Sequence, residues 1–122
     1  MIKVLLVDDQ PSVCAGLRLR LELETDLQVV GEAGDGATAV AIAPSVQPDV
    51  ALVDVEMPDM DGITLIQVLC LVAPHCLVII LTLHDDAATR RRALAAGAAA
   101  FVAKQAGVAP LLEAIRNAIR SR

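Results

Sequence analysis

Residues 2–9 read IKVLLVDD, an apolar run that ends in two adjacent acids. The pattern recurs along the chain, where Asp54 follows the apolar run 50–53, Thr82 follows 77–81 and Lys104 follows 98–103. Each run is typical of a buried strand. In an open parallel sheet the carboxyl ends of the strands point to one edge, and ligands bind there. We therefore expect these polar side chains to converge in one pocket.

The residue types in this predicted pocket point to phosphoryl chemistry. Carboxylates that crowd together repel one another unless a cation joins them. Asp8, Asp9 and Asp54 offer hard oxygen ligands, which suit Mg²⁺. Asp54 is the candidate nucleophile, because a carboxylate can accept a phosphoryl group as an acyl phosphate. Lys104 and Thr82 are a cation and a hydroxyl of the kind that a transferred phosphoryl group needs.

The apolar runs alternate with segments of helical period, which indicates a parallel α/β sheet. Strands are predicted at 2–7, 27–32, 50–54, 77–82 and 99–103, and helices at 11–24, 36–44, 62–73, 86–96 and 108–120. Right-handed crossovers then produce a doubly wound, five-stranded parallel sheet with five helices. The length predicts a single domain over residues 1–122.

Several predicted helix ends carry local signals. Pro11 suits the first turn of a helix, with Asp9 before it as the cap. Asp61 is placed to cap the third helix. Gly97 is expected to end the fourth helix in a left-handed conformation.

Residues 17–24 read LRLRLELE and alternate with the period of a strand. Their position between a helix-starting proline and the next strand favours a helix instead. On a helix, Leu17 and Leu21 share one face, while Leu19 and Leu23 lie on the opposite face. One of the two pairs is therefore expected to be largely exposed.

Composition excludes several classes of protein. Hydrophobic residues make up 56% of the 122, which argues against disorder, and the apolar stretches are too short to span a membrane. The net charge of −5 argues against nucleic-acid binding by this domain alone. An early acidic pair argues against a signal peptide, so a cytoplasmic location is expected. The three cysteines have no framework spacing and no CxxC, which favours reduced thiols over a disulfide or a metal site.

Four segments together resemble the receiver domain of bacterial two-component response regulators. They are VLLVDD at 4–9, LVDVEMPDMDG at 52–62, ILTLHDD at 80–86 and GAAAFVAK at 97–104. The resemblance covers essentially the whole chain and implies the flavodoxin-like strand order 2-1-3-4-5. It also implies that the phosphoryl donor for Asp54 is a phosphohistidine on a sensor histidine kinase or a phosphotransfer protein.

The resemblance assigns a role to each site residue. Asp9 and Asp54 are expected to bind Mg²⁺ directly, Asp8 through water, and Glu56 through its backbone carbonyl. Lys104 is expected to pair with Asp54 before phosphorylation and with a phosphoryl oxygen afterwards. Thr82 and Phe101 resemble the switch pair of the family: the hydroxyl bonds the phosphoryl group and vacates space that the ring then fills.

One departure from the family pattern indicates a branch. A proline usually follows the lysine, whereas Gln105 follows Lys104 here. Receivers of regulators with LuxR-type helix-turn-helix outputs often lack this proline, so we assign the chain to that branch. It is then expected to be the N-terminal part of a transcriptional regulator whose DNA-binding output domain is missing from this chain.

Two alternatives to a phosphoacceptor remain open. The first is a pseudo-receiver, an interaction module that signals without phosphate. The second is a small aspartyl-phosphate phosphatase, which is disfavoured because Asp8 and Asp9 are adjacent, whereas such enzymes want an Asp-x-Asp. We expect a signalling protein rather than an enzyme.

Two features of the sequence concern surfaces. Residues 62–73 carry no charge, and the first helix is apolar on two faces, which suggests a homodimer or docking of an output domain. The run Arg90, Arg91 and Arg92 is either a solvated face or a contact for an acidic partner.

Overall fold

The computed structural model describes residues 1–57, 59–83 and 86–122. Pro58, His84 and Asp85, which belong to the motifs quoted above, lie outside the described residues. In chain order the elements are β1 (Ile2–Val7), α1 (Pro11–Leu21), β2 (Leu27–Ala33), α2 (Gly36–Val46), β3 (Val50–Asp54), α3 (Gly62–Val72), β4 (Leu77–Thr82), α4 (Ala87–Ala96), β5 (Ala100–Ala103), a 3-10 turn (Lys104–Ala106) and α5 (Val108–Ser121).

The strands form one parallel sheet in the order β2-β1-β3-β4-β5, which confirms the predicted doubly wound topology. Alternate residues of β1 pack on opposite faces of the sheet, because successive side chains of a strand point to opposite sides. Leu5 and Val7 pack with residues of α2, α3 and α4, whereas Val4 and Leu6 pack with residues of α1 and α5. The sheet is therefore covered on both faces.

The first helix is shorter than predicted. It ends at Leu21 rather than at residue 24, because Leu21 is fully buried and the next inward position, one turn later, is the exposed Thr25. The leucine question is also settled: Leu19 is 74% exposed and Leu23 is 72% exposed. The second helix, in contrast, is longer than predicted, because it continues past Pro44 to Val46.

The predicted helix caps are correct at two positions and wrong at one. Asp61 accepts a hydrogen bond from the amide of Ile63, and Gly97 has the left-handed φ of 117°. Asp9 does not cap α1, whose N-cap is Gln10 without a side-chain bond. Asp8 instead accepts from the amide of Gln10 at 2.9 Å. The Asp9 carboxylate is instead grouped with those of Asp8 and Asp54 at the sheet edge.

A network of ion pairs holds α5 against the turn that precedes β2. Arg116 donates to both carboxylate oxygens of Asp26 and to Glu24, with distances of 2.8 to 3.0 Å. The hydrogen bond from Arg116 is the main cause that lowers the pKa of Glu24, followed by the bond from Arg20. The bond from Arg116 also lowers the pKa of Asp26.

We expect an Arg116→Met variant to lose stability in a pH-dependent way. Carboxyl groups whose pKa is lowered on folding stabilise the protein above their unfolded pKa, and that contribution disappears as the pH falls through the folded value. The difference in unfolding free energy between parent and variant should therefore be present at neutral pH and shrink in acid. Urea unfolding from pH 7 to pH 3 measures it, and Arg120→Met on the same helix is the control. A difference that stays constant down to pH 3 would contradict this reading.

Candidate functional site

The strand register brings the predicted site residues to one edge of the sheet. Val7 pairs with Val53, so Asp8 emerges from β1 beside Asp54 at the end of β3. Leu81 pairs with Asp54, which places Thr82 next along β4.

The register continues to the last strand. Thr82 pairs with Ala103, so Lys104 follows at the end of β5. Polar side chains thus leave four adjacent parallel strands at the same level, where open α/β sheets bind their ligands.

Asp8, Asp9 and Asp54 form a cluster of carboxylates at this edge. One oxygen of each lies within 4.8 Å of the others, and no second group of potential metal ligands was found among the described residues. Asp8 is 4% exposed and Asp54 is 7% exposed, whereas Asp9 faces solvent. Hard, close-set oxygens with one open side fit Mg²⁺, which keeps part of its hydration shell. Sequence reasoning grouped these three residues, and the structure brings them together.

Lys104 is the cation of the site. Its Nζ lies 3.1 Å from Oδ2 of Asp8 and 3.3 Å from Oδ2 of Asp54. Burial by itself would lower the pKa of the Lys104 ammonium. The hydrogen bond to Asp8 and the charges of Asp54 and Asp8 outweigh it and raise the pKa above its usual value. The predicted pairing with Asp54 is found, and the pairing with Asp8 is an addition that the sequence pattern does not signal.

The loop after β3 folds back tightly on itself. Asp54 Oδ1 accepts from the amide of Glu56 at 3.0 Å, so the nucleophile candidate is bonded to its own loop. At the other end of the loop, a side chain on Gly62 would clash, because its Cβ would lie 2.8 Å from Cα of Val55. The backbone of Glu56 is therefore held close to Asp54.

Thr82 and Phe101 lie on neighbouring strands. Thr82 is fully buried and Phe101 is 7% exposed. The guanidinium of Arg90 lies 4.9 Å from the centre of the Phe101 ring, within the range of a cation–π contact. Sequence reasoning considered Arg90 only as part of a basic run, and nothing in the spacing of residues 90 and 101 signals the contact.

The thiol and imidazole groups near the start of β4 are not part of any group of three potential metal ligands in the described residues. Cys76 is buried, and burial raises the pKa of its thiol to about 12. Cys14, Cys70 and Cys76 are free cysteines in the described residues. In the described ranges, no helix has the length and apolar character needed to cross a bilayer.

A family model described as the response regulator receiver domain matches residues 4–116. The chain belongs to this family. The receiver domain is 39% identical over 119 residues to the uncharacterized transcriptional regulatory protein YxjL of Bacillus subtilis (strain 168), a match that covers 98% of this chain and 55% of that protein.

The structural likeness agrees with the predicted branch. A two-component response regulator of the LuxR family from Aurantimonas sp. SI85-9A1 superposes on this receiver domain with a TM-score of 0.93 at 30% identity. That match covers 98% of this chain and 86% of the other. The assignment to the LuxR-type branch, made from Gln105, is confirmed.

This receiver domain spans about half the length of the curated transcriptional regulators that it matches. It is also 42% identical over 111 residues to protein-glutamate methylesterase/protein-glutamine glutaminase of Caldanaerobacter subterraneus subsp. tengcongensis, covering 90% of this chain and 30% of that protein. Receiver domains thus occur beside different further domains. The receiver domain itself is a signalling module of a two-component system.

Proposed function

We propose that this receiver domain is a phosphoacceptor in which Asp54 takes a phosphoryl group from a phosphohistidine. The observation that carries the proposal is the setting of Asp54. It is a buried carboxylate with a lysine ammonium 3.3 Å away and two further carboxylates within 4.8 Å. A lone structural acid has no need for this crowding, whereas a nucleophile that must hold a metal and a dianionic acyl phosphate product does.

The transfer is a substitution at phosphorus. An oxygen of Asp54 attacks, a P–O bond forms, and the P–N bond to the donor imidazole breaks. The imidazole leaves with the bonding electrons and takes up a proton. Catalysis consists mainly of positioning, which the burial of Asp54 and its bond from the Glu56 amide supply.

The ammonium of Lys104 and the proposed Mg²⁺ ion neutralise the negative charge of the product. Lys104 already bonds the Asp54 oxygen, so its ammonium is in place for a phosphoryl oxygen after transfer. Asp9, Asp54 and the Glu56 carbonyl are proposed as direct ligands of Mg²⁺, with Asp8 acting through water. When bound, Mg²⁺ supplies counter-charge to both the attacking and the phosphoryl oxygens.

The proposal is tested by the intact mass of the protein after incubation with acetyl phosphate. We expect a gain of one phosphoryl group with Mg²⁺ and no gain with a chelator. No gain in a folded, Mg²⁺-binding protein would favour the alternative of a phosphate-independent interaction module. Sustained turnover of a simple phosphate ester, instead of stoichiometric labelling, would favour a phosphatase.

The switch is proposed to link Thr82 to Phe101. The Thr82 hydroxyl bonds a phosphoryl oxygen, and Phe101 moves into the vacated space, away from Arg90. Phe101 is the only aromatic residue in the chain. Uniform labelling with fluorophenylalanine therefore reports one site.

We expect the single ¹⁹F resonance of the labelled protein to shift when acetyl phosphate and Mg²⁺ are added. In Thr82→Val, which keeps the shape but lacks the hydroxyl, the protein should still be phosphorylated while the ¹⁹F shift is lost. An unchanged shift in Thr82→Val would refute the coupling. Asp54→Asn controls for effects of the reagents.

The partners follow from this role as further proposals. The donor is a sensor histidine kinase or phosphotransfer protein, and the setting is the cytoplasm. The regulated output is transcription, through a DNA-binding output domain of the LuxR type. Homodimerisation through the exposed leucines, Leu19 of α1, Leu23 just after α1 and Leu71 of α3, stays a prediction.

A further inference from the structure

Asp59 joins two segments of the chain that are distant in sequence. Its Oδ1 accepts from the amide of Gly36 at 3.0 Å, and its Oδ2 accepts from the amide of Ala37 at 3.2 Å. Both amides belong to the first turn of α2, where N–H groups have no partner within the helix. The carboxylate also lies at the positive end of the helix dipole. Asp59 therefore bridges the β3–α3 loop to α2.

The tip of the loop is pressed against α2 by a second contact. A Cβ built on Gly36 would lie 2.9 Å from Cβ of Met60, so the absence of a side chain at residue 36 allows the close approach. The base of the loop is fixed by the packing of Gly62 on Val55. Glu56 lies between the fixed base and the bridged tip.

Asp59 is not needed to cap α2, because α2 has a cap of its own. Asp35 is the N-cap residue, and its Oδ1 accepts from the amide of Thr38 at 2.6 Å. The two bonds of Asp59 thus contribute a connection between loop and helix beyond local helix capping. What this connection fixes is the position of the loop tip, at Asp59 and Met60, relative to α2.

We propose that Asp59 is a positioning residue for the metal site. By tying the loop tip to α2, it holds the Glu56 backbone so that the carbonyl faces the ion bound by Asp9 and Asp54. The inference rests on the proposed function, since it needs Glu56 to be a ligand. Asp59 contacts neither the ion nor the phosphoryl group.

The test compares Asp59→Ala with Asp35→Ala. Both variants remove one carboxylate from the N-terminus of α2, but only the first removes the bridge. Because the chain has no Trp or Tyr, Mg²⁺ binding is measured by calorimetry. We expect the Kd for Mg²⁺ to rise about tenfold in Asp59→Ala, as for other groups that orient metal ligands, and about twofold or less in Asp35→Ala.

A second measurement separates positioning from a loss of folding or catalysis. At saturating Mg²⁺, the rate of phosphorylation by acetyl phosphate should be within about twofold of the parent in both variants, because the ligands themselves are intact. In metal-free protein, amide hydrogen exchange should accelerate at residues 55–57 in Asp59→Ala and not in Asp35→Ala.

Asp59→Asn separates charge from hydrogen bonding. Its side-chain oxygen can still accept from Gly36, although its amide nitrogen cannot accept from Ala37, so its Kd should lie between those of the parent and Asp59→Ala.

Equal Kd values for Asp59→Ala and Asp35→Ala, or a loss of rate that saturating Mg²⁺ does not restore, would overturn the inference while leaving the phosphoacceptor role intact. A parent protein that binds Mg²⁺ but takes no phosphoryl group would overturn the proposed function, and the Kd comparison would still decide the role of Asp59. A parent that binds no Mg²⁺ overturns both.

Discussion

An Asp54→Asn variant is expected to take no phosphoryl group from acetyl phosphate and yet to be more stable than the parent in metal-free buffer. The loss of labelling follows because the amide oxygen is a poor nucleophile. The gain in stability follows from the crowding of charge around Asp54. At an effective dielectric constant of about 20, each carboxylate within 4.8 Å repels Asp54 by roughly 3 kcal/mol or more, and Lys104 at 3.3 Å attracts it by roughly 5 kcal/mol.

The two repulsions exceed the single attraction, and the burial of Asp54 adds a desolvation cost. We expect a stabilisation of about 1–2 kcal/mol, since the asparagine oxygen can still accept from the Glu56 amide.

Urea unfolding in the presence of a chelator measures the effect, beside intact mass for the labelling. Asp61→Asn, which removes the charge of a loop acid outside the carboxylate cluster, is the control. A variant less stable than the parent would show that the pairing with Lys104 outweighs the repulsion. If Asp54→Asn were still labelled to full stoichiometry, the phosphoryl group would be attached to another residue.

A Lys104→Met variant is expected to be strongly destabilised without metal and to recover when Mg²⁺ is added. The substitution leaves Asp8 and Asp54 buried side by side without their cation. Removing one partner of a buried ion pair costs about 3–5 kcal/mol, and the 19% exposure of the Lys104 side chain reduces that to roughly 2 kcal/mol here. Bound Mg²⁺ supplies the missing positive charge, so the difference from the parent should shrink.

Denaturation with and without saturating Mg²⁺ gives the comparison. Lys3→Met, which changes the only other lysine of the chain, is the matched control because Lys3 contributes its backbone amide, not its ammonium, to a hydrogen bond with Asp49. If Mg²⁺ stabilised parent and Lys104→Met equally, the lysine and the ion would not share the role of neutralising the cluster.

Much of the fold could be predicted from the sequence, because parallel strands that are buried on both faces consist of consecutive apolar residues. The residue that ends each run also lies near the site, since the register aligns the carboxyl ends of β1, β3, β4 and β5. The side-chain periodicity of α1 is the counter-example. The alternation of LRLRLELE is ambiguous between helix and strand, and only the buried contacts of Leu21 decide where the helix ends.

The parts that sequence reasoning missed are contacts between residues far apart in the chain. The bond between Lys104 and Asp8, the stacking of Arg90 on Phe101 and the bridge from Asp59 to α2 each depend on the docking of separate elements. No local pattern specifies them. The contact of Asp59 is especially hard to predict, because aspartate is a common residue in loops and its presence there signals no particular partner.

The position of β1 in the sheet has a consequence for how the chain folds. The first strand of this chain pairs on one side with β2 and on the other with β3, so that Val4 lies opposite both Val29 and Val50. During synthesis on the ribosome, both edges of β1 can be covered only after the residues near 50 have emerged. Until then an almost entirely apolar strand presents an open edge, and Lys3, exposed in the finished fold, is the charge within it that discourages pairing with other chains.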